Sequence, residues 1–249
     1  MTAPVTLNRE SLTAQVHQHL RRALASGAFR PGEKLKLREL SERLGVSLTP
    51  VREALVRLVT DGVLVQVDHR SVRVPVLDSA AYLELCEVRA MLEGLAAERA
   101  AQRATERDIE TVAAAHARIV AARRRGDHAG VVLENQEFHM AACRIARMPT
   151  VERLVENLWL QTGPVVIWLG RRPLPYQPKR HPHVVLIESL RARDGVAARQ
   201  AMEQDIMLNA QALAPLLDEL RAAEEPAPPR KPAAAAAVAA GHEPAPDAV

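Results

Sequence analysis

Along residues 10–26 the large apolar side chains stand at Leu12, Val16, Leu20 and Leu24, four positions apart. That is the stripe of a helix with one buried face. The stretch SGAFRPGEKL follows, and its Gly27, Pro31 and Gly32 end the helix. A shorter helix is predicted over LRELSERLGV, with Leu37, Leu40 and Leu44 inward and Gly45 at its end. A third helix is expected to take Thr49 as its N-cap and Pro50 in its first turn, where a missing N–H costs nothing. Its buried face is Val51, Leu55, Leu58 and Val59, and Gly62 stops it. LVQVDHRSVRVPV then alternates as two short strands around a turn at Asp68–Ser71.

Pro75 and Asp78 mark a boundary, beyond which the helical pattern is nearly continuous. AAYLELCEVRAMLEGLAAERAAQ predicts a long helix. Further helices are predicted over 106–125, closing on the basic run Arg123–Arg125 and Gly126, and over 128–146, stopped before Pro149. Another spans 150–169, bent at Gly163-Pro164, and GRRPLPYQPKRHP reads as a loop. Residues 183–193 and 195–221 give two more helices, joined at Asp194-Gly195. The fold class is therefore mostly α. It has a compact helical domain with a hairpin over 8–75, an all-helical bundle over 79–221, and a disordered Pro/Ala-rich tail over 224–249.

Composition narrows the chemistry. Hydrophobic residues make up 48% and charged residues 25%, but aromatics only 2%, so the core rests on Leu, Val, Ile and Ala. The net charge of +3 is unevenly placed: residues 1–75 hold 12 Lys and Arg against 7 Asp and Glu, and the remainder is net −2. A polyanion is expected to bind at the N-terminal third. Cys86 and Cys143 lie in helical patterns without metal-site spacing and read as small buried residues in a reducing cytoplasm. No apolar run approaches the ~18 residues of a membrane span, so no membrane partner is expected.

The third helix has the make-up of a DNA-reading helix. Thr49 and Arg52 stand on its first turn, and Val51, Leu55 and Leu58 form its rear face. Arg38 opens the preceding helix toward the same groove, and the hairpin tip carries His69 and Arg70. The run FRPGEKLKLRELSERLGVSLTPVREALVRLVTDGVL resembles the winged helix-turn-helix of the GntR family of bacterial regulators. The resemblance implies a double-stranded DNA operator contacted by Arg38, Ser47, Leu48, Thr49, Arg52 and Arg70. Two positions depart from it. Leu48 stands where the family usually has an arginine that contacts DNA, and a leucine can pack only on a thymine methyl or a sugar. Ser71 stands where glycine is commoner in the wing turn.

CEVRAMLEGLAAERAA, NQEFHMAACRIARMP and HVVLIESLRARDGVAARQAMEQDI are similar in order and spacing to the FCD domain of that family's fatty-acid-regulator type. This resemblance implies a divalent metal, Zn²⁺, Ni²⁺ or Mn²⁺, at Asn135, His139, His183 and Asp205. The family's first Asp is here Asn135 and its last His is Asp205, so one carboxylate has changed ends. His181 is an alternative ligand, and a metal-free pocket in which the two His bind an anion directly is the competing reading. His116, His128 and His242 read as surface or tail residues. Arg89 is the expected effector-binding residue for a small organic acid, or else the partner of Glu93 one turn on. Trp159, Trp168 and Tyr176 are candidate pocket walls. The function expected is a ligand-responsive DNA-binding transcriptional repressor, homodimeric and cytoplasmic, without enzymatic activity. A metal-dependent enzyme on a helical bundle and an effector-independent nucleic-acid binder are the alternatives.

Overall fold

The structure is a computed structural model and describes residues 12–169 and 180–224. The expected tail from residue 225 on, His242, Tyr176 and the start of the first domain lie outside the described residues.

The N-terminal unit begins with α1 (Leu12–Ala25), whose Val16, Leu20 and Leu24 are buried as the stripe predicts; Leu12 is exposed. Then come β1 (Lys34–Lys36), α2 (Leu37–Leu44) and α3 (Leu48–Thr60), followed by β2 (Val65–Asp68) and β3 (Ser71–Arg73). The strands form an antiparallel sheet in the order β1-β3-β2, with Leu35 opposite Val72. β1 was not legible in the sequence, because three residues with one buried position are too short to show alternation. The turn between α2 and α3 is held by Gly45 at φ 65 and by the Ser41 hydroxyl, which donates to the Val46 carbonyl at 2.5 Å. Only glycine adopts that left-handed backbone without strain.

One local expectation is corrected. The N-cap of α3 is Ser47, not Thr49, and Leu48 is the first helical residue rather than part of the turn. Pro50 therefore stands third in the helix, still among the N–H groups that have no intrahelical partner, so its ring costs no hydrogen bond.

The second unit comprises α4 (Ser79–Arg103), α5 (Glu106–Arg124), α6 (His128–Ile145), α7 (Pro149–Leu169), α8 (Pro182–Arg191) and α9 (Gly195–Glu224). Asp78 caps α4, and Thr105 with Asp108 forms a capping box on α5. α7 runs unbroken through Pro164, and α9 extends three residues beyond its expected end. The main core gathers alanines of α4 with Phe138, Leu186, Leu190 and Met202. Small side chains allow close helix approach, which is how a chain so poor in aromatics packs densely. Leu160 of α7 is buried in the N-terminal core beside Leu58 and Leu64, so one helix contributes to both cores.

Candidate functional site

The exposed face of the N-terminal unit carries the expected DNA contacts. Ser47, Leu48, Thr49 and Arg52 are all exposed on the start of α3, with Leu48 44% accessible. Val51, Ala54, Leu55 and Leu58 are buried on the opposite side. Arg38 extends from the start of α2, its side chain 88% accessible and 3.5 Å from Glu42. At the hairpin tip Asp68 accepts the Arg70 backbone N–H at 2.8 Å and the Ser71 hydroxyl at 2.7 Å. Ser71 thus closes the turn through its side chain, with no left-handed backbone that would need glycine. Lys34 and Lys36 of β1 line the same concave face with Arg38, His69 and Arg70. Leu35 is buried between the two lysines, and three residues are too few for that alternation to mark a strand in the sequence.

A second constellation is buried in the bundle. His139 on α6, His183 on α8 and Asp205 on α9 have donor atoms within 4.8 Å of one another, and all three side chains are buried. Asp205 Oδ2 lies 3.2 Å from His139 Nε2 and 3.2 Å from His183 Nε2. The first contact is a hydrogen bond, whereas His183 Nε2 is buried with no hydrogen-bond partner. Asn135 is half-buried one turn before His139 on α6. His181 caps α8 by accepting the His183 backbone N–H on Nδ1, which is also 3.9 Å from Asp205.

The cluster continues through α4. His139 Nδ1 is 2.7 Å from Glu93 Oε2, and Glu93 Oε1 accepts Arg89 Nε at 2.8 Å. Arg89 also donates to the Thr162 hydroxyl at 3.4 Å and stacks its guanidinium 3.6 Å above the Trp159 ring. Arg89 and Glu93 are almost fully buried, so the i, i+4 pairing weighed from sequence is realised. Burial alone would raise the Glu93 carboxyl, but Arg89 and His139 outweigh it and hold it below the usual range. Burial likewise opposes the charge on His139, yet Glu93 and Asp205 push its pKa up to about 9. Charges thus alternate along the buried row Arg89, Glu93, His139, Asp205.

His116 is corrected. It was expected at the surface, but α5 sets it half-buried with Nδ1 3.2 Å from His183 Nδ1. The missed signal is its place four residues after Val112 and three before Ile119, both buried on the inner face of α5. His128 is exposed at the start of α6, as expected.

α7 lies between the two constellations. Trp159 and Thr162 face Arg89, while Asn157 donates to the Asp61 carbonyl, at the C-cap of α3, at 2.8 Å. Arg21 of α1 pairs with Glu156 at 3.4 Å, and Arg30 stacks on Trp168. Gly27, at φ +67, approaches α7 so closely that a Cβ there would lie 2.6 Å from Ile167.

Comparison with known proteins agrees with the two-unit fold. Residues 12–74 match the family model of bacterial regulatory proteins of the gntR family, and residues 84–207 match the FCD domain. The HTH-type transcriptional regulator McbR of Escherichia coli is 30% identical over 201 residues, covering 80% of this chain and 91% of McbR. The Nta operon transcriptional regulator of Aminobacter aminovorans is 32% identical over 180 residues, covering 68% of this chain and 80% of that protein. The solved structure of Escherichia coli McbR superposes with a TM-score of 0.74 at 28% identity, covering 86% of this chain and all of McbR. These relatives are transcriptional regulators, not enzymes. With a winged helix-turn-helix unit and a helical bundle enclosing a histidine–carboxylate cluster, the chain belongs to the GntR family of DNA-binding transcriptional regulators, in the group that carries an FCD domain.

Proposed function

We propose that the protein is a homodimeric repressor whose hold on a palindromic operator is set by a divalent metal ion and a small organic acid in its helical bundle. One observation carries this reading: the His139–His183–Asp205 cluster is continuous, through Glu93, Arg89 and Trp159, with the helix that is hydrogen-bonded to the end of α3.

The donor set fits a metal. Two imidazoles and one carboxylate converge, and His183 Nε2 is a buried nitrogen with no hydrogen-bond partner. The 3.2 Å between donor atoms is what ligand bonds of ~2.0–2.1 Å leave between neighbouring ligands. His139, His183 and Asp205 would hold the ion, with Asn135 one turn before His139 on α6 as the further candidate, and such a mixed set suits Zn²⁺, Ni²⁺ or Mn²⁺. When bound, the ion supplies a positive centre with positions open to a carboxylate oxygen. The ion, not the protein's own charges, would make the row favourable to such an anion. With His139 deprotonated, Arg89, Glu93 and Asp205 sum to −1, and a divalent ion turns the row to +1. Arg89 is already engaged by Glu93, so in this reading it links the site to Trp159 and α7 more than it waits free for the acid.

On the DNA side, Arg38, Ser47, Leu48, Thr49, Arg52 and Arg70 form the contact surface. One such helix spans only a few base pairs, so two copies related by a two-fold axis on a palindrome are needed for a specific site. A dimer seated on the operator blocks the promoter, and an acid that binds one arrangement of the winged units better than the other changes operator affinity.

The test is a titration of Zn²⁺, Ni²⁺ and Mn²⁺ into the full chain, followed by operator binding in fluorescence anisotropy. The expectation is one ion per chain and a raised melting temperature, with ~2.7 kcal/mol of stabilisation at 100 times Kd. His139→Ala with His183→Ala should abolish both. A wild-type chain that takes up none of these ions would leave the imidazole pair as a direct receptor for the anion.

A further inference from the structure

We infer that His116 is the hydrogen-bond acceptor that fixes His183 in its metal-binding tautomer, making it a positioning residue of the site. This rests on the metal reading above, and the experiment below separates the two.

The two ring nitrogens of His183 meet different neighbours. Nε2 faces Asp205 Oδ2 at 3.2 Å, and Nδ1 faces His116 Nδ1 at 3.2 Å. Stacking on Phe138, with centroids 3.8 Å apart and planes 21° apart, keeps the ring from turning. A neutral imidazole has one N–H and one lone pair, and a metal takes the lone pair. For His183 to offer Nε2, its proton must sit on Nδ1, and there must be an acceptor opposite. His116 Nδ1 is in that place and accepts if His116 carries its own proton on Nε2. His116 is not itself a ligand in this arrangement, because its Nδ1 meets the edge of His183 that faces away from Asp205.

His139 follows the same plan. Its Nε2 faces Asp205, and its Nδ1 faces Glu93 at 2.7 Å. Each imidazole thus points one nitrogen at Asp205 and rests the other on an outer partner, a carboxylate for His139 and an imidazole for His183. Such partners orient a ligand ring and fix its tautomer, and losing one costs about 10–100-fold in metal affinity. Without His116 the tautomer with the proton on Nε2, whose N–H would face Asp205, loses its competitor.

The experiment measures Zn²⁺ affinity of the full chain by competition with a chelator, for wild type, His116→Leu and His116→Asn. Asn places a carbonyl oxygen near the position of Nδ1, whereas Leu fills the space with no acceptor. The expectation is a loss of about 10–100-fold for His116→Leu and an affinity near wild type for His116→Asn. Wild-type affinity in His116→Leu, or an equal loss in both variants, overturns the inference while leaving the metal reading intact. A wild-type chain that binds no Zn²⁺ overturns both. Should His116→Leu not fold, nitrogen-15 NMR of the wild-type Zn²⁺ form decides: a protonated His183 Nδ1 coupled across the hydrogen bond to His116 Nδ1 is expected, and a protonated His183 Nε2 overturns the inference.

Discussion

His139 is the residue of the buried cluster whose proton is held on toward higher pH, and it makes the proposed site depend on pH. Burial opposes its charge, but Glu93 at 2.7 Å and Asp205 at 3.2 Å raise its pKa to about 9. A pKa raised above the unfolded value near 6.5 contributes stability that is complete below that value and lost as pH rises through about 9. The melting temperature of the metal-free protein should therefore fall between pH 7 and 9.5, and His139→Gln should lose that slope. A metal ion in the proposed site would have to displace the same proton, so apparent affinity should rise about tenfold per pH unit below 9. Calorimetry in buffers of different ionisation enthalpy should count about one proton released per ion at pH 7.5; zero protons would contradict the assignment.

At the scale of elements, α7 has two working faces. Trp159 and Thr162 touch the buried arginine, while Asn157, Leu160 and Glu156 engage the N-terminal unit. Asn157 satisfies the carbonyl at the C-cap of α3, a bond of the kind that contributes about 0.5–1.5 kcal/mol. Asn157→Ala should speed amide exchange over Gly62–Leu64 and leave metal affinity unchanged. Unaltered exchange there would mean that α7 does not brace the end of α3. A change in metal affinity would mean that the two faces of α7 cannot be separated.

At the scale of the whole molecule, the proposed dimer would set two copies of α3 on one operator, and Leu48 offers a way to see them. It is the exposed first residue of α3 and cannot make the paired contact to guanine that an arginine makes. Selection from a randomised operator library should show that Leu48→Arg gains a guanine preference at two positions related by symmetry, worth about 1–3 kcal/mol each. Arg52→Ala should lose operator affinity with the circular dichroism spectrum unchanged. A preference gained at one position alone would contradict the dimer, and no change would mean that Leu48 does not face the bases.

The sequence by itself determined what depends on local spacing. The stripe at Val16, Leu20 and Leu24 sets α1, Gly45 sets the turn before α3, and the i, i+4 step from Arg89 to Glu93 sets their pairing. His139, His183 and Asp205 could be grouped from sequence only through the family resemblance, since spacing says nothing about contacts between separate helices. Tertiary packing decided the rest: that the three donors converge, that Glu93 and His116 support the two imidazoles, and that β1 completes the wing sheet. It also placed α7 against both units. A helix's periodicity reveals which face is inward, but what that face meets depends on how distant helices cross, and no local pattern encodes that.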